Sequence, residues 1–211
     1  MITTFSLSDN PLLKKTQAAE RNVNVILEVL KRELPKQGAI LEIGSGTGQH
    51  GATFARSLPS LRWIPSDINS INFASINAWN ETVTENRPEL PRVIDASSTQ
   101  WNVDAADGIV AIVAINIIHI SNWNVTEGIL VAANKILPAA GILFLYGPFI
   151  QSDVVTVESN LSFHEQLKSQ NSEWGLRNLD AIEKLAHIER LDLKKIIQMP
   201  ANNLSVIFQK R

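Results

Sequence analysis

The chain has 211 residues, 45% of them hydrophobic and 19% charged, with a formal net charge of −2. That length suits one domain with a filled core, and the slight negative charge argues against a surface dedicated to nucleic acid, which is ordinarily basic. With no cysteine there is no disulfide framework, thiolate nucleophile or thiolate metal site, and no metal is expected.

Met1 to Asn10 carry neither the charged and apolar regions of a secretory signal nor the basic content of a transit peptide, so the expected compartment is the cytoplasm. The spacing of Val23, Ile26, Leu27, Leu30 and Leu34 predicts a helix over Leu12 to Leu34, stopped by Pro35 and Gly38. Ala39 to Ile43 reads as a strand entering a glycine-rich turn, Thr47 to Leu58 as a helix closed by Pro59, and Leu61 to Asp67 as a second strand. Ser70 to Thr84 is helical in pattern and Arg92 to Asp95 makes a weaker third strand. Gly108 to Ile115 is apolar on successive residues, as a strand covered on both faces should be. The run Ile109 to Ile120 includes Asn116 and His119 and falls short of the ~18 apolar residues of a membrane helix, so no membrane partner is expected.

A helix over Asn124 to Leu137 and a fifth strand over Gly141 to Tyr146 continue the alternation that defines a mostly parallel sheet flanked by helices. Residues 150–177 interrupt it. Leu161, Phe163 and Leu167 recur there at helical spacing, which fits a lid over a pocket or a surface helix covering the core, with His164 exposed. Asn178 caps a further helix. Leu191 to Met199 and Asn202 to Gln209, separated by Pro200 and Ala201, form an antiparallel pair at the C-terminal edge. The whole, 1–211, reads as a single α/β domain with residues 1–38 as an N-terminal helical cap.

In Glu42-Ile43-Gly44-Ser45-Gly46-Thr47-Gly48 the glycines follow a strand and open a helix, so the backbone turns sharply and a ligand approaches without Cβ interference. A dinucleotide fingerprint fails here, because Gln49 stands where its third glycine belongs and Gly48 comes one residue early. About 20 residues on, Asp67 ends the next strand, where a carboxylate accepts the ribose hydroxyls of a bound adenosine. Asp95 ends the third strand at the same sheet edge and is a candidate acceptor for the adenine amino group, with Ile68 and Ala96 beside these acids. Strand-end solvation and helix capping are the competing roles of the two carboxylates.

The blocks Ala18-Ala19-Glu20-Arg21-Asn22, Leu41 to His50, Pro65-Ser66-Asp67-Ile68, Asn116 to Ser121, Leu145 to Phe149, Trp174-Gly175-Leu176-Arg177 and Met199 to Ser205 carry a resemblance over nearly the whole chain. The chain resembles the seven-strand class I methyltransferases and, more narrowly, is similar to the DUF938 family, also called UPF0585 or methyltransferase-like protein 26. The resemblance implies a Rossmann-like seven-stranded fold and S-adenosyl-L-methionine as cofactor; it brings no established substrate. The chain departs from the family at Ala139-Ala140-Gly141, where Pro-Gly-Gly is commoner, and at Gly51, where alanine is usual; neither departure is expected to touch the cofactor contacts.

Methyl transfer needs orientation, exclusion of water and, for an OH or NH acceptor, somewhere for a proton to go. His119, just past the fourth strand, is the candidate base, and Asn116 the candidate group orienting the sulfonium end or the substrate; capping is the alternative for His119. Tyr146 is the second catalytic candidate, with packing as its alternative. Arg21 and Asn22 are candidates for the cofactor carboxylate, a solvated helix face being the competing explanation. His50 and His187 read as structural, since neither sits at a metal-ligand spacing. The expected function is methyl transfer to a small-molecule acceptor, with no nucleic-acid partner. A non-catalytic nucleoside- or partner-binding protein on the same fold, and an NAD-dependent oxidoreductase, are the alternatives.

Overall fold

The structure, a computed structural model, describes residues 10–211, so part of the expected N-terminal cap, residues 1–9, lies outside the described residues. Helix α1 (Gln17–Glu33) begins later than the pattern of Leu12 to Leu34 predicts. Thr16 takes extended backbone and its Oγ1 accepts the Ala19 N–H at 3.2 Å, fixing the helix start there. The expected stripe Val23, Ile26, Leu27, Leu30 and Leu34 faces inward as one row of the core.

Strands β1 (Gly38–Ile43), β2 (Leu61–Asp67), β3 (Arg92–Val93), β4 (Ile109–Ile115) and β5 (Ile142–Gly147) alternate with α2 (Gln49–Ser57), α3 (Phe73–Glu81) and α4 (Trp123–Ile136). A tight turn over Ser70–Asn72 splits the expected Ser70 to Thr84 helix ahead of α3. After β5 come β6 (Phe149–Ile150), α5 (Glu158–Gln170), β7 (Arg177–Asn178), α6 (Leu179–Ile188), β8 (Leu191–Met199) and β9 (Asn203–Lys210). Seven strands make one sheet in the order β3-β2-β1-β4-β5-β9-β8. Strands β1 to β5 pair in parallel, and β9 runs antiparallel to both β5 and β8. Beside it, β6 and β7 form a two-residue parallel pair that the sequence pattern does not announce.

The sheet is covered on both faces, as the continuous apolar strands predict. Along β4, Ala111, Val113 and Ile115 pack with α1, α2 and Trp63, whereas Ile112 and Ala114 pack with α4 and α6. Because all parallel strands point the same way, their C-terminal ends deliver Ile43, Asp67, Ile115 and Gly147 to a single edge of the sheet. No helix among the described residues is long and apolar enough to cross a membrane.

Candidate active site

At that edge the loop Gly44 to Gly48 joins β1 to α2. Gly44, Gly46 and Gly48 have φ of 66°, 54° and 87°, a left-handed backbone that only glycine adopts freely. A Cβ at Gly44 would collide with the Ile117 side chain, and one at Gly48 would stand 2.7 Å from the Ile76 Cα. At Gly46 the nearest atom is the Gly44 carbonyl oxygen, 4.0 Å away, so that side of the loop is open.

The loop is staked from beneath. Glu42 is buried and its Oε2 accepts from Ser45 Oγ at 2.8 Å and from Trp63 Nε1 at 2.9 Å. Burial pushes the Glu42 carboxyl pKa up, against the pull of these two donors. Ser45 N donates to the Ser66 carbonyl at 2.8 Å and Ser75 Oγ to the Thr47 carbonyl at 2.7 Å. One expectation is corrected here: Gly51 does touch this set. A Cβ on it would lie 2.7 Å from Glu42 Oε2 and 2.8 Å from Trp63 Nε1, so the bare α-carbon makes room for the bond between them.

Asp67 is buried at the end of β2. Its Oδ2 accepts the Gly46 N–H at 2.9 Å and its Oδ1 the Asn69 N–H at 2.9 Å, so the carboxylate sits against the open glycine. Ile68, next to it, is 64% exposed. Strand β3 stops at Val93, short of Asp95, because the exposed Asp95 carboxylate closes a turn instead, accepting from Ser97 N at 2.9 Å and Ser97 Oγ at 2.6 Å. Ala96, beside it, is buried, its carbonyl packed against Gly128 of α4.

Beyond β4 lies a cavity of about 540 Å³, walled by Arg21 and Asn22 of α1, Asn116, His119, Tyr146, and residues of α5 and the turn before β9. Asn116 has φ 56°, a left-handed conformation asparagine tolerates, and its N–H donates to the Tyr146 carbonyl at 2.8 Å. His119 is 4% exposed, and its Nδ1 is buried with no hydrogen-bond partner among the described residues. Burial, then the nearby Arg177 charge, lowers its pKa to about 4, so the imidazole is neutral at pH 7. The Phe163 ring meets it edge-on at 5.7 Å, and a Cβ on Gly147 would approach Nδ1 to 3.1 Å. Burial raises the Tyr146 pKa, with the Asn22 amide pulling the other way; Asn22 Oδ1 meets His50 Nε2 at 2.8 Å. His50 is half-buried, and desolvation lowers its pKa to about 4.

The turn bearing His119 is held from outside. Arg177 Nε donates to the Ile118 carbonyl at 2.9 Å, its Nη2 to the Ser121 and Glu173 carbonyls, and its guanidinium stands over the Trp123 ring. Gly175 N donates to the His119 carbonyl at 3.0 Å. His164 is half-buried, not exposed as expected, because its Nδ1 accepts the Leu176 N–H at 3.1 Å.

Of the expected residues, Arg21, Asn22, Asn116, His119 and Tyr146 thus share one cavity, while Gly44 to Gly48, Asp67 and Asp95 lie along the neighbouring edge; Ile117, packed on Gly44, joins the two. Sequence reasoning missed Trp63, Ser66 and Ser75 beneath the loop. Arg177 stood only in a family block, with no role attached. No group of three His, Asp or Glu side chains that could hold a metal occurs among the described residues.

Known structures share this fold. An O-methyltransferase family protein from Burkholderia thailandensis superposes with a TM-score of 0.74 at 15% identity, covering 92% of this chain and 56% of its own. The mitomycin 7-O-methyltransferase MmcR gives 0.75 at 14% identity, over 92% and 55%, and human N-acetylserotonin methyltransferase in complex with SAM gives 0.73 at 10%, over 92% and 53%. The fold is the Rossmann-like seven-strand fold of class I methyltransferases, and the chain spans little more than half the length of these proteins. Residues 13–210 match the family described as a protein of unknown function, DUF938, and the chain belongs to that family.

Proposed function

We propose that the protein transfers a methyl group from S-adenosylmethionine to a small-molecule acceptor bound in the cavity beside His119. The observation that carries this reading is the contact between the open glycine Gly46 and Asp67, in a loop whose Gly44 packs on Ile117, the chain neighbour of Asn116 in the cavity wall. Each Asp67 oxygen accepts one backbone N–H and keeps a second acceptor site, which suits a ribose diol; exposed Ile68 suits the face of an adenine, with Asp95 and Ala96 along its rim. Gly44 to Gly48, staked by Glu42, leave room for the amino-acid end, and Arg21, with no ion-pair partner among the described residues, suits its carboxylate, with Asn22 behind. When bound, the cofactor supplies a methyl group made electrophilic by its sulfonium.

The chain's own part is to orient and to move a proton. Asn116 holds the reacting ends together. The neutral His119 imidazole takes the acceptor's proton, with Tyr146 as a secondary hydrogen-bonding group. Residues 150–177 act as the lid that keeps water out. The solved relatives named above, O-methyltransferases among them, support a hydroxyl acceptor by their likeness of fold.

Calorimetry with S-adenosylhomocysteine and with NADH tests the cofactor. We expect binding of the first only, and a loss of at least about tenfold in Asp67→Ala. Transfer of a labelled methyl group to a component of a cell extract tests the activity. His119→Gln should keep cofactor binding and cut turnover by roughly 10²-fold or more. Binding without any transfer across broad extracts would instead identify a binding protein on this fold.

A further inference from the structure

The cavity that holds His119 is also lined by three asparagines, Asn160, Asn202 and Asn203. Asn160 Nδ2 donates to the Asn202 carbonyl at 3.2 Å, and Asn203 Nδ2 to the Pro200 and Ala201 carbonyls at 3.1 and 3.3 Å. A backbone carbonyl only accepts, so these bonds fix which edge of each amide is the NH₂. Asn202, which is exposed, meets Ser159 Oγ at 3.4 Å, and because a hydroxyl both donates and accepts, that bond does not set its amide. The Oδ1 atoms of Asn160 and Asn203 accept no hydrogen bond among the described residues, although Asn160 is only 9% exposed. This wall therefore offers acceptors and calls for a ligand that donates.

The charges around the cavity point the same way. Among its described lining residues there is no Asp or Glu, and Arg21 is the one cation. A protonated amine would lose its hydration with no counter-charge in return, and an anion would compete for the guanidinium that the cofactor's carboxylate occupies in the reading above. Phe163, Pro148 and Pro200 supply apolar surface between the polar groups.

We infer that the acceptor is an uncharged molecule with at least two hydroxyl groups, one at His119 and another on the amide oxygens of Asn160 and Asn203. This rests on the methyltransferase reading and adds the substrate class. In the transfer the first hydroxyl's oxygen bonds to the methyl carbon as the carbon–sulfur bond breaks. The departing electron pair neutralises the sulfonium, the hydroxyl proton passes to the imidazole, and from there it goes to water.

The test uses the whole protein saturated with S-adenosylhomocysteine and three probes of similar size: 1,2-dihydroxybenzene, 2-hydroxybenzoate and benzylammonium. Ligand-observed NMR should rank the neutral diol at least tenfold tighter than either ion. Asn203→Leu should weaken the diol about tenfold, and Asn160→Asp, which keeps the size of the side chain, should shift the preference toward benzylammonium. Weaker binding of the diol than of either ion, or diol affinity unchanged in both variants, would overturn the inference. Tighter 2-hydroxybenzoate binding that is lost in Arg21→Gln would overturn it specifically, by giving Arg21 to the acceptor. The cofactor's own heat of binding is read separately: its absence sinks the methyltransferase reading and this inference together, whereas a reversed probe order with cofactor bound sinks only the inference.

Discussion

The glycine loop and the His119 turn touch at Ile117, yet they are finished in opposite ways. The side chains that stake the loop have partners: Glu42 with Ser45 and Trp63, Ser66 with Glu42, Asp67 with Gly46 and Asn69. At the turn, His119 Nδ1 is buried with no partner among the described residues, as is Ser205 Oγ on β9, opposite Tyr146 in the sheet. An unpaired buried group costs free energy, so a fold keeps one where something else profits from it. The loop is a shape set in advance, and the turn is a chemistry left incomplete.

The largest expected effect breaks the first half of that contrast. Gly48→Ala meets both a left-handed φ and the Ile76 backbone, and should cost about 3 to 4 kcal/mol, read as a lower urea midpoint. Next comes acid. His119 and His50 both sit at about 4 in the fold against 6.5 when free, so between those values the unfolded chain binds protons that the native chain refuses. Their contribution is complete above about pH 6.5 and lost as pH falls toward 4, about 2 kcal/mol for each between pH 7 and 4.5. The slope of stability against pH should flatten in His119→Gln; an unchanged slope would show that the imidazole titrates normally.

Smaller effects sharpen the contrast. Trp63→Phe keeps the packing but removes one donor from Glu42, for a loss of about 1 to 2 kcal/mol seen in thermal or urea unfolding. Arg177→Met should move stability least and chemistry more. Removing a cation that depresses His119 should raise its pKa above 4 in a proton NMR titration, and loosening the Ile118 and Ser121 carbonyls should lower kcat more than it raises KM.

The alternation of strands and helices was legible because each element announces itself within a dozen residues: the stripe from Val23 to Leu34, the run Ile109 to Ile115, the stop at Pro138. The glycines and Asp67 were legible for the same reason, lying at predictable strand ends. What the sequence hid depends on distant pairs. Ser75 reaches Thr47 across 28 residues and Arg177 reaches Ile118 across 59, and no local pattern encodes either. Asp95 shows the converse, a residue whose position was expected but whose carboxylate serves its own turn. Gly51 carries no motif signal of its own, yet as the third residue of α2 its α-carbon lies against Glu42 and Trp63.

The placement of β9 between β5 and β8 also bears on how the molecule comes into being. During synthesis β8 leaves the ribosome before the strand that must separate it from β5, so it has no seat in the sheet when it first appears. The parallel half, β1 to β5, has all its partners by then and is free to settle first. Strand β8 waits with exposed edges until Asn203 to Lys210 arrive and pair on both sides at once. The same strand begins at Asn203, on the cavity wall, so the cavity is closed only once β9 is in place.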